Sequence, residues 1–125
     1  MQRLQENVLH LQGVIMALTT FTGPVRSLNG FISGSGATIT KVLSNSASLN
    51  FPSIASAASA DLTITVTGAA VGDEVIMALP AAPAAGLVFN AFVSAANTVT
   101  IRASNISGSP VDAAAATYGV IVIAA

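Results

Sequence analysis

The chain has 125 residues, 53% of them hydrophobic and only 7% charged, with four Lys or Arg against five Asp or Glu and no Cys. A soluble domain carries about 25% charged residues, so this surface either relies on Ser, Thr, Asn and Gly for hydration or is covered by neighbours. The weak net charge excludes a field that gathers nucleic acid or an anionic membrane, the lack of Cys excludes disulfides and thiolate chemistry, and no apolar run nears the roughly 20 residues that span a bilayer.

Residues 1–18 form a unit of their own. Leu4, Val8, Leu11, Ile15 and Leu18 fall on one stripe of a helix, with Gln2, Gln5, Glu6 and Gln12 elsewhere. This predicts a short N-terminal amphipathic arm, too short for a free-standing coiled coil but able to dock on a partner through Leu4, Val8, Leu11 and Ile15. Met16 opens a second possible start, "MALTTFTGP", so the arm also reads as an extension before the true beginning. His10 and Gln12 interrupt what would be the apolar centre of a signal peptide.

From residue 19 to 125 the helical period is gone, and a single β-domain is expected. Gly23-Pro24 breaks the chain, "VRSLNGFIS" offers a short strand, and "GSG" at Gly34–Gly36 a flexible turn. "ATITKVL" alternates, with Ile39 on one face and Thr38 and Thr40 on the other, "SNSAS" follows, and Pro52 confines "LNFPSI" to an edge or a strand end. Asp61 to Thr67 is the clearest strand, with Leu62, Ile64 and Val66 inward and Thr63, Thr65 and Thr67 outward. After a turn at Gly68–Gly72, Glu74 to Leu79 puts Val75, Met77 and Leu79 on one face and Ile76 and Ala78 on the other. Leu87 to Ser94 and Thr98 to Ala103 form a hairpin, and Thr117 to Ala124 is a closing strand held within a sheet. Seven or eight short strands with Gly, Ser and Pro between them predict an all-β fold: an antiparallel, jelly-roll-like β-sandwich carrying a short helical arm.

Catalysis lacks its usual parts. His10, the single histidine, sits in the arm away from any titratable cluster, and no G-x-S-x-G elbow or phosphate loop occurs. Asp73-Glu74 with Asp61 or Asp112 is the one conceivable Ca²⁺ set, yet each of these aspartates stands at a turn or strand boundary, where backbone hydrogen bonding alone favours Asp. No metal, cofactor or enzymatic activity is expected. Asn105-Ile106-Ser107 matches a glycosylation sequon. Ile76, Val88 and Phe92 would make an outer sheet surface apolar, which marks them as candidate interface residues.

"FPSIASAASADLTITVTGAAVGDEVIM" and "AGLVFNAFVSAANTVTIRASNISGSPVDAAAATYGVIVI" resemble small virion structural proteins of tailed bacteriophages, of the decoration or fibre type. The likeness runs from about Leu49 to Ile123, and "MALTTFTGPVRSLNGFI" resembles the start of such proteins. The resemblance implies a non-catalytic homotrimer on the capsid surface of a virion, a decoration or cement protein that bridges subunits of the major capsid protein. A fibre, spike or adhesin-type domain that recognises a host glycan or surface protein is the alternative.

Overall fold

The computed structural model describes residues 18–125. The expected helical arm, with Leu4, Val8, Leu11, Ile15 and His10, lies outside the described residues. Among the described residues there are eight strands and no helix: β1 (Phe31–Ile32), β2 (Thr38–Ile39), β3 (Lys41–Leu49), β4 (Ser59–Thr65), β5 (Glu74–Ala78), β6 (Leu87–Ala95), β7 (Thr98–Asn105) and β8 (Ala116–Ala124). All pairings are antiparallel. The described residues are all-β, in three antiparallel sheets: a small β1-β2 pair and two three-stranded sheets ordered β3-β8-β5 and β4-β7-β6.

The pairing order is nested. β3 pairs with the last strand, from Lys41 opposite Ala124 to Leu49 opposite Ala116, and β4 pairs with the penultimate one, from Ser59 opposite Ser104 to Thr65 opposite Thr98. β5 and β6 then take the far edges of the two sheets. Alternation decides which side chains each strand turns inward. Leu49, Tyr118, Val120 and Val122 from the first sheet meet Ile64, Val93, Val99 and Ile101 from the second in one apolar cluster. Tyr118, Phe51 and Phe89 form an aromatic trio inside it, with ring centroids 5.5–5.9 Å apart and mostly edge-to-face.

Loops close the ends of this core. After β3 the chain sends in Phe51 and Ile54, and Ile54 makes an isolated antiparallel bridge to Val111. Pro52 stands between strands, as its missing N–H requires. At the other end Asn97, in the left-handed region at φ 60°, turns the β6-β7 hairpin. Its side-chain oxygen accepts from the Gly68 N–H at 2.8 Å, while its own N–H donates to the Ala69 carbonyl at 2.9 Å. The hairpin tip and the β4-β5 turn therefore hold each other.

Two expectations change. "ATITKVL" is not one strand: it divides at Thr40 between β2 and β3, and β3 runs on through Ser44 to Ser48 along the whole length of β8. Asn45 is accommodated there because its side-chain amide donates to the Thr65 carbonyl at 2.6 Å. "VRSLNGFIS" contributes only the two residues of β1, and residues 18–40 run outside the two larger sheets. Gly30 (φ 80°) is required where this segment turns, since a side-chain carbon there would overlap the Ile39 carbonyl oxygen.

Candidate interaction surface

The two outer sheet faces differ in chemistry. On β4-β7-β6, outward positions in register run Ser59-Ser104-Val88, Asp61-Arg102-Asn90 and Thr63-Thr100-Phe92. Arg102 grips Asp61 through two hydrogen bonds of 2.8 Å each, and its guanidinium carbon lies 5.4 Å from the centre of the Phe92 ring. The hydrogen bond from Arg102, with the charge behind it, holds the Asp61 carboxyl below its ordinary range and raises Arg102 in turn. Thr100 donates to Ser94 at 2.7 Å and is buried, although its position in the alternation is outward. This face is polar, with Val88 and Phe92 as isolated apolar members.

The outer face of β3-β8-β5 is apolar. Its register rows are Val42-Ile123-Glu74, Ser44-Ile121-Ile76 and Ser46-Gly119-Ala78. Val42 and Ile76 are each 56% exposed and Ile121 41%. Gly119 lies mid-sheet between Ser46 and Ala78, and this row of small side chains floors an open groove of about 460 Å³ bordered by Ser44, Ile76 and Ile121.

The expected interface residues are thus divided: Ile76 lies on one sheet, Val88 and Phe92 on the other. Alternation assigns a residue to the inner or outer side of its own strand but does not say which layer the strand joins. Val42 and Ile121 complete the apolar face with Ile76, and the sequence signal for them is their parity opposite the inward Leu43 and Val122. A further apolar stretch precedes β1. Leu18, Phe21, Val25 and Leu28, with Phe31 and Ile32 of β1 itself, are all more than half exposed.

The polar candidates are occupied structurally. Asp73 accepts from the Ala70 N–H at 2.9 Å and stands 3.7 Å from Lys41, which also donates to the Gly68 carbonyl. Asp61 belongs to Arg102, and among the described residues no group of three or more His, Cys, Asp or Glu is placed to hold a metal ion. Asn105 of the sequon is 2% exposed, and its side-chain amide donates to the carbonyls of Ile54 and Ser109, both at 2.8 Å, so in the folded chain it is a loop anchor rather than an acceptor for a glycan. Tyr118 is buried in the core, and loss of hydration pushes its phenol pKa up. No protein-family model matches the chain, and comparison with curated proteins and with solved structures returned no significant match.

Proposed function

We propose that the chain is a virion structural protein of a tailed bacteriophage, a decoration or cement protein that binds the major capsid protein lattice as a homotrimer. The observation that carries this reading is the outer face of β3-β8-β5: a sheet face with Val42, Ile76 and Ile121 exposed is poorly suited to water and well suited to a protein neighbour. The two larger sheets are read as the layers of a β-sandwich, and the nested order, β3 with β8 and β4 with β7, supports a jelly-roll-like winding. Such a module would act by burial at subunit junctions, worth about 25 cal/mol per Å² of apolar area before the entropic costs of association.

The test is to mix purified protein with capsid shells that lack it. Co-sedimentation at a fixed number of copies per shell, with a raised shell melting temperature, is the expected result. Binding to host cells without binding to shells would replace this reading with the fibre or adhesin one.

A further inference from the structure

The described chain carries two uncovered apolar surfaces of unlike shape. One is a narrow strap, residues 18–32, with six large apolar side chains exposed, from Leu18 at 91% to Ile32 at 56%. The other is the broad outer face of β3-β8-β5, with Val42, Ile76, Ile121 and the half-buried Ile123. They adjoin at Val42, which also lines a groove of about 320 Å³ with Val25, Phe31 and Ile39. Their charges are complementary: Arg26 is the only charged residue of the strap and Glu74 the only one on the sheet face. Neither belongs to the two ion pairs found among the described residues, Lys41–Asp73 and Arg102–Asp61.

We infer that the strap of one copy lies across the outer face of β3-β8-β5 of a second copy, with Arg26 meeting Glu74. A neighbour built from this same chain supplies each surface with a partner of matching polarity. Phe31 and Ile32 alternate across β1, so up to nine large apolar side chains enter one junction, and at roughly 100 Å² apiece they approach the roughly 1,000 Å² of a specific interface. The contact joins unlike surfaces, so it is head-to-tail, and closing it requires a ring of copies. This inference uses the same sheet face as the virion reading and assigns it to a second copy; its test needs only the purified chain, whereas the virion reading is tested on capsid shells.

The test uses the full chain, a strap variant, Leu28→Asp, and a face variant, Ile76→Lys. Wild type is expected to be oligomeric by sedimentation, and each variant monomeric with unchanged β-sheet circular dichroism. Mixing the two variants should give a one-to-one heterodimer, since one chain still offers a sound strap and the other a sound face. A monomeric wild type at about 100 μM would overturn the inference. A strap variant that remains oligomeric, or two monomeric variants that fail to combine, would overturn it as well.

If either variant loses its fold, Arg26→Glu and Glu74→Arg decide, because both positions tolerate a charge. Each reversal should weaken association about two- to five-fold, the range of exposed ion pairs, and the double reversal should recover it. Unchanged association in both single reversals would refute the docking.

Discussion

Replacing Asn105 by Leu removes four side-chain hydrogen bonds while keeping the same branched side-chain skeleton. The amide of Asn105 donates to the Ile54 and Ser109 carbonyls, both at 2.8 Å, and its oxygen accepts from the Ser107 N–H at 2.8 Å and hydroxyl at 2.7 Å. Each such bond contributes about 0.5–1.5 kcal/mol net. Two of the partners are less exposed to loss: Ile54 keeps the Val111 N–H at 2.9 Å, and Ser109, 2.9 Å from the Ser107 hydroxyl, takes over the one proton that hydroxyl shares with Asn105. The expected cost is therefore about 2–4 kcal/mol, a large share of the roughly 5–15 kcal/mol of a whole domain. Urea unfolding at one fixed protein concentration, with the slope unchanged, measures it. Asn105→Asp supplies the control of sign. A carboxylate there faces two carbonyl oxygens in a buried site, so its folded-state pKa lies above the unfolded value of about 3.9. The variant's stability is then fully present below that pH and lost as pH rises, and it should approach wild type at pH 3 while falling well short at pH 7. A cost below about 1 kcal/mol for Asn105→Leu, or a pH trend of opposite sign for Asn105→Asp, would refute the view that this side chain holds the loop closed.

Adjacent residues of the central strand β8 should behave oppositely. Val122→Lys, at a fully buried position, is expected to prevent folding, since an unpaired buried charge costs several kcal/mol, whereas Ile121→Lys, on the outer face, should leave the β-sheet circular dichroism intact. At high pH the chain should become unstable through Tyr118. Its raised folded-state pKa means that stability is present below the ordinary tyrosine value of about 10 and lost above it, so tyrosinate absorbance should appear together with unfolding.

The strands that sequence reveals most directly are those in which every second side chain is large and apolar. Leu62, Ile64 and Val66 mark β4 within two residues of its observed limits, and Tyr118, Val120 and Val122 do the same for β8. β3 is obscured because its middle consists of small polar residues. Ser44, Ser46 and Ser48 face outward, while the inward Asn45 is satisfied by a carbonyl twenty residues away, a partner no local pattern reveals. The candidate surface is obscured for a related reason. Ile76 and Phe92 share an outward parity, but the connection between β5 and β6 crosses from one sheet to the other, and that crossing is a property of long-range pairing. Asn105 reads as a sequon in three residues, and only the approach of Ile54 and Ser109 turns it into an anchor.

The nested order also governs how the chain can fold during its synthesis. β7 and β8, the central strands of the two larger sheets, are the last of the eight to leave the ribosome. Until they emerge, β3 and β4 have no ladder to join, and β5 and β6 have no inner neighbour. Most pairing therefore forms late and over long sequence separations, a topology that slows folding and leaves unpaired apolar strands waiting. In a chain with so few charged residues to keep nascent copies apart, the rate at which β7 and β8 zip in sets how much newly made protein reaches its native form rather than aggregating.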